Sequence, residues 1–276
     1  MKTLIIISVC FFSQHFYAQN TDNSTITQLV YDFNFKVFED EENVQNEKML
    51  LSIDRMRTSF MTESQYKLDS IFFITNKPAP TVEEEFDLLI DMQKSKNPYR
   101  IYSENKSILY RRSLNQNHYI YQEDINLKWE LLPGNKEVLG YSCKKAKMEY
   151  AGRVWYAWYT YEIPLNAGPY KFKGLPGLIL EIYDEELIFN FKAISLKQVS
   201  FKDYDPVKLI ENGQVVENID SKKFIKLLEK FDGLSIVEKF SFGMNQKVKV
   251  QSANGEDISR RVNQRPTKKR LYIEDF

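Results

Sequence analysis

Residues 153–184 read RVWYAWYTYEIPLNAGPYKFKGLPGLILEIYD. Two tryptophans and three tyrosines crowd the run from Arg153 to Tyr161, a composition that suits a strand with one face in a core. Val138 to Tyr150 lies just upstream, and Ala151-Gly152 between the two runs predicts a tight hairpin. Downstream, Gly168-Pro169 and Gly174 bend the chain. Leu175-Pro176-Gly177-Leu178 reads as a type II turn, with proline second and a glycine of positive φ third. Leu178 to Ile182 is apolar on both faces, which predicts a strand in the middle of a sheet. Asp184 and Glu185 open the next turn and Leu187 to Ile194 returns as its neighbour.

Working outward towards the N-terminus, Tyr31, Phe33, Phe35 and Val37 alternate with Asp32, Asn34 and Lys36, the period-2 pattern of a half-buried strand. Met49 to Ile53 and Asp69 to Thr75 read as strands, and Arg55 to Lys67 as an ambiguous, partly helical stretch. Thr81-Val82-Glu83-Glu84 has the layout of a capping box, and Phe86, Leu89 and Ile90 put an apolar stripe on the helix it opens, expected to pack across the sheet. Short Tyr-, Ile- and Leu-rich runs at 99–102, 108–111, 118–122 and 127–132 continue an antiparallel meander, with Pro133-Gly134-Asn135 as a turn. On the C-terminal side, Asp205-Pro206 opens a helix to Glu211 and Asp220 caps a second from Ser221 to Phe231, while Gln246 to Val250 reads as a last strand. Residues 252–276 are polar and basic, ending in LYIEDF, and are expected to be a flexible tail.

The segments Gly140 to Ala146, Gly152-Arg153, Ala157 to Thr160, Ile163-Pro164, Gly168-Pro169 and, complete and in order, Gly174-Leu175-Pro176-Gly177-Leu178-Ile179 resemble the GLPGLI family of secreted Bacteroidota proteins, which is named for that hexapeptide. The resemblance is strongest from Trp129 to Asp184. It implies secretion and carries no catalytic residues. The pattern as a whole is that of an α+β protein, a strongly curved antiparallel β-meander with covering helices, analogous to the half-barrel of lipoprotein carriers. In such a fold Trp155, Trp158, Tyr170 and Phe172 are the candidates to line an apolar ligand site.

The first 18 residues have a positive start, an apolar run from Leu4 to Phe12 and a small residue, Ala18, ahead of Gln19; they predict a cleaved secretory signal. That run is about half of the roughly 20 residues needed to span a bilayer. Cys10 follows Val9 deep inside the apolar run, so lipidation is not expected. The reading is then one domain over 19–251, periplasmic or otherwise secreted. With 38 basic and 38 acidic residues the surface has no global charge to attract nucleic acid. After cleavage His118 is the only histidine and Cys143 the only cysteine, so neither a metal cluster nor a disulfide is expected, and no cofactor motif is present. The chemistry for catalysis is thin. Cys143 with His118, or the carboxylates Glu162, Glu181, Asp184, Glu185 and Glu186, could serve a hydrolase, but strand-flanking acids are usually solvated and a lone thiol usually inert. A binding or carrier module for an apolar molecule, lipid or envelope partner is therefore favoured over a hydrolase or a structural envelope component.

Overall fold

The computed structural model describes residues 25–39, 41–55, 57–73, 81–200, 216–243, 251, 254 and 264–274. The secretory signal expected at 1–18, the helix expected at 205–211 and the strand expected at 246–250 lie outside these residues. Six strands follow one another as neighbours: β1 (Thr25–Phe35), β2 (Gln45–Asp54), β3 (Arg57–Thr62), β4 (Tyr99–Glu104), β5 (Ser107–Leu114) and β6 (Asn117–Asp124). Five more do the same: β7 (Glu130–Val138), β8 (Tyr141–Tyr150), β9 (Arg153–Thr160), β10 (Leu178–Asp184) and β11 (Phe189–Ser200). Pairing of β1 with β11 joins the two meanders, and β12 (Val216–Asn218) adds a parallel edge to β6. The protein is mostly β, one open twelve-stranded sheet with few helices among the described residues.

The sheet has to curve. β6 and β7 lie ten strands apart in the sheet, about 48 Å if it were flat. Only residues 125–129 connect them, a reach of about 22 Å even when fully extended. Glu274 makes the same point from inside, accepting hydrogen bonds from Tyr121 on β6 and Tyr150 on β8. The concave face gathers Tyr31, Phe33, Phe60, Tyr99, Tyr121, Trp155 and Phe191 into a continuous aromatic core, with Phe33 stacked on Phe191 at 4.0 Å.

Several elements form as their sequence predicts. β8 and β9 meet through Tyr150↔Arg153, with Ala151 and Gly152 both at positive φ, the geometry that suits the twist of a two-residue hairpin. β10 is an inner strand between β9 and β11, buried throughout except at Tyr183. Thr81 and Glu84 exchange the two bonds of a capping box ahead of α2 (Val82–Lys94), and Asp220 caps α3 (Ser221–Asp232) through the Lys223 amide.

Others differ, each for a physical reason. Asp69 to Phe73, expected as strand, ends the helix α1 (Glu63–Phe73), because the buried Asp69 is satisfied by Gln65 one turn back and by Arg100 of β4. The stripe on α2 does not cover the sheet. α2 packs on α1, and Phe86 and Leu89 stay 62% and 42% exposed. Pro133-Gly134 is not a turn but a bulge inside β7, where the register slips between Leu132 and Asn135 and Gly134 sits at φ 144° over the Trp158 ring; the turn falls at Leu139-Gly140. Nor does Gly177 take the positive φ of a type II turn. A Cβ there would lie 2.1 Å from the Thr160 carbonyl oxygen, so glycine is required by the close approach of two backbones.

Within the tail expected to be flexible at 252–276, the described stretch 271–274 is held in place. The Leu271 amide donates to Val37, and Ile273 and Glu274 are buried in the concave core. A five-residue helix α4 (Ile236–Phe240), capped by Ser235 and Glu238, follows α3.

Gly177→Ala should therefore destabilise the fold by about 3 kcal/mol, the upper range for forced overpacking. Gly140→Ala, whose Cβ meets nothing within 4 Å but whose φ is 80°, should cost about 1 kcal/mol. Urea denaturation of both variants checks the ranking; equal losses would contradict the close-approach account.

Candidate functional site

The segment between β9 and β10 turns back into the concave face instead of lying over its rim. The Ile179 amide donates to Ala167, Leu178 donates to Ile163, and Tyr31 on β1 donates its hydroxyl to the Ile179 carbonyl at 2.6 Å. Trp129 donates its indole N–H to Lys173. These bonds carry Tyr170, Lys171 and Phe172 into the interior. Phe172 packs at 4.6 Å from Trp155, and Tyr170 at 5.6 Å from Tyr99.

Lys171 is the unexpected member. Its side chain is 0% exposed, and a bare ammonium there would be very costly. It is fully matched: Nζ donates to Tyr121 Oη at 2.9 Å and Glu123 Oε1 at 2.5 Å, and forms a close ion pair with Glu274. Tyr150 donates to the same oxygen, Glu274 Oε1, at 2.5 Å. Burial, with the Glu274 charge adding to it, pushes the Tyr121, Tyr150 and Tyr170 hydroxyls up, so these phenols stay protonated donors. The loop and the C-terminal segment thus fill the bore, and a residual cavity of about 40 Å³ remains beside Tyr99, Arg112 and Tyr170.

Outside this plug lies a cleft of about 490 Å³. Its walls are the β1–β2 turn with Val37, Phe38 and Glu41, Lys96, the end of α3 with Glu229 and Asp232, and residues 266–270 with Tyr272. Its lining mixes the apolar Val37, Phe38 and Tyr272 with the cations Lys96, Lys268, Lys269 and Arg270 and the acids Glu41, Glu229 and Asp232, and Lys269 pairs with Glu229 at 3.3 Å. Arg270 and Tyr272 line both cleft and cavity. Both are tied to Asp232, Tyr272 by a 2.8 Å hydrogen bond and Arg270 by a 3.3 Å ion pair.

The four residues expected to line an apolar site separate into two groups. Trp155, Tyr170 and Phe172 meet inside the core, where Trp155 and Phe172 are fully buried and Tyr170 borders the small cavity. Trp158 alternates with Trp155 onto the other face, its ring flanked by Lys136 and Lys145. The motif residues Gly168, Pro169 and Gly174 to Ile179 shape the inturned loop. Gly168 leaves no room for a Cβ between Phe172 and Ile179, and Leu175, Leu178 and Ile179 are core.

The acids expected to be solvated are mostly engaged. Glu181 is buried against Lys136 at 2.6 Å, and Asp184 accepts from the Phe189 amide and Arg153 while burial still raises its carboxyl. Glu162 accepts from the Ser142 amide. Cys143 is buried, its thiol pushed up to about 11 by burial and hydrogen-bonded to the Tyr141 carbonyl, which leaves it protonated and unreactive at neutral pH. His118 bonds Ser113 at 2.7 Å, with burial and Arg111 lowering its pKa. Cys143 and His118 are not partners. Among the described residues no group of three His, Cys, Asp or Glu is placed to hold a metal, and no helix is long and apolar enough to cross a membrane.

Sequence reasoning missed Lys171, Arg112, Asp232, Arg270 and Glu274. The signal that could have found them is local mismatch: Lys171 stands between Tyr170 and Phe172 in an apolar loop, and Leu271-Tyr272-Ile273 is an apolar run inside a polar end.

Lys171→Met should destabilise the fold by about 3–5 kcal/mol, because it strands a buried carboxylate. The double variant Lys171→Met with Glu274→Gln should cost less than the single one. Denaturation at pH 7 checks this; a single-variant loss below about 1 kcal/mol would contradict a matched buried pair.

Residues 148–181 match a family described as "Protein of unknown function (Porph_ging)". That stretch runs from the end of β8 through the inturned loop into β10. A search among curated proteins finds no match. The fold is shared with two solved structures. One, of PNGF-II in space group P21, has a TM-score of 0.52 at 15% identity over 84% of this chain and 40% of that one. The other, of PNGF-II in space group C2, has 0.51 at 14% over 83% and 36%. This chain thus spans about two fifths of the length of those proteins.

Proposed function

We propose that this is a secreted or periplasmic cell-envelope binding module, non-catalytic, that holds a small amphipathic molecule in the cleft between the β1–β2 turn, α3 and residues 266–272. The observation that carries the reading is the pairing of a filled bore with an open cleft of about 490 Å³ next to it. Ligand sites are commonly about 300–1,000 Å³ and mostly apolar with a few fixed polar groups. The cleft has that size and mix; the interior, at about 40 Å³, does not hold an acyl chain. In this reading the curved sheet is a half-barrel of the lipoprotein-carrier kind whose bore is closed by its own loop and C-terminal segment. Val37, Phe38 and Tyr272 offer the apolar contacts, and Lys96, at the edge of the paired Arg270 and Asp232, offers a positive charge to an acidic head.

A hydrolase reading has less support, since Cys143 is buried and protonated and Glu162, Glu181 and Asp184 each serve a separate structural contact. The test is native mass spectrometry of protein purified without denaturant, with lipid and metabolite extraction. The expected result is a co-purifying amphipathic acid that is lost in a Phe38→Asp variant of wild-type stability. Retention of the same ligand by that variant, or a ligand-free protein that binds none of a panel of amphipathic acids, would overturn the reading.

A further inference from the structure

Arg112, on β5, is 7% exposed, and burial acts against its charge while Tyr110 and Asp232 support it. Its chain partner is the Tyr110 hydroxyl, while its Nε–H is buried and bonded to nothing. Tyr99 Oη, on β4, is likewise buried and unpartnered. Both residues line the 40 Å³ cavity, together with Arg270 and Tyr272. A buried charged donor left unmatched is strongly unfavourable, and native folds rarely keep one without a use.

The nearby acids are already taken. Asp232 is shared by Arg270, Tyr272 and Lys239, and Glu274 by Lys171 and Tyr150. Glu47 accepts from Ser95, Asn97 and the Lys96 amide. The unpartnered Nε–H of a guanidinium is a charged donor suited to a carboxylate oxygen. The size agrees. A cavity of about 40 Å³ is on the scale of a carboxylate group and too small for a chain.

We propose that this cavity is a carboxylate-binding pocket, with Arg112 as the charged anchor and Tyr99 as the second donor. The carboxylate is either a free one- or two-carbon acid or the head of the ligand in the adjoining cleft, since Arg270 and Tyr272 are the wall common to both. The second source rests on the cleft reading above; the first does not.

Calorimetric titration with sodium acetate, sodium octanoate and neutral octanol separates them. Wild-type protein is expected to bind acetate, and to bind octanoate more tightly than octanol. Tyr99→Phe removes one hydroxyl and should weaken carboxylate binding about tenfold, the worth of one charge-assisted hydrogen bond. Arg112→Met should abolish it; if that variant does not fold, Tyr99→Phe decides. Acetate binding with no gain for octanoate keeps the pocket and removes the cleft as its source. Equal octanoate and octanol binding, unchanged in both variants, keeps the cleft and overturns the pocket. Absence of carboxylate binding to the wild type overturns the pocket as well.

Discussion

The five residues between β6 and β7 are the constraint from which the rest of the architecture follows. They join strands that a flat sheet would hold about 48 Å apart, so the two meanders must wrap towards each other. Wrapping brings the inner faces of β4 to β6 opposite those of β8 and β9, and that concave space has to be filled or solvated. Ile125, Leu127 and Trp129 on the link itself pack against the core, so the strap that forces the curvature also helps to pay for it.

Filling is done by two pieces of chain that a carrier would keep out of its bore. The inturned loop supplies Tyr170, Lys171 and Phe172; the C-terminal segment supplies Tyr272, Ile273 and Glu274. One buried ion pair, Lys171 with Glu274, fastens the two pieces to each other and to β6 and β8. Breaking that pair from one side would leave an uncompensated buried charge, so the loop and the C-terminal segment are held together in one arrangement. The same filling leaves about 40 Å³ inside, while the cleft of about 490 Å³ lies outside, bounded by the segment just before that plug.

Much of the fold was legible because its signals are local. Alternation in Tyr31 to Phe35, the continuous burial of Leu178 to Ile182, the Ala151-Gly152 hairpin and the caps at Thr81 and Asp220 depend on near neighbours in sequence. Misread features depend on distant ones. Gly177 is glycine because of Thr160 on another strand, Pro133-Gly134 bulges because β8 keeps pairing past it, and Asp69 is helical and buried because Arg100 waits on β4. The interior polar residues were hidden for the same reason. Nothing adjacent to Arg112, Lys171 or Glu274 in sequence tells that the three share one interior, since their neighbourhood exists only once the sheet has curved.

The concave face is sealed around Lys171, whose side chain is 0% exposed, and the reactivity of that amine reports whether it stays sealed in solution. Brief acylation of the native protein with an amine-selective reagent, followed by peptide mass spectrometry, measures each lysine separately. Lys144 and Lys192, on exposed positions of β8 and β11, should be modified rapidly, while Lys171 should remain unmodified until the protein unfolds. Modification of Lys171 at the rate of those surface lysines would contradict a filled bore and restore the open carrier.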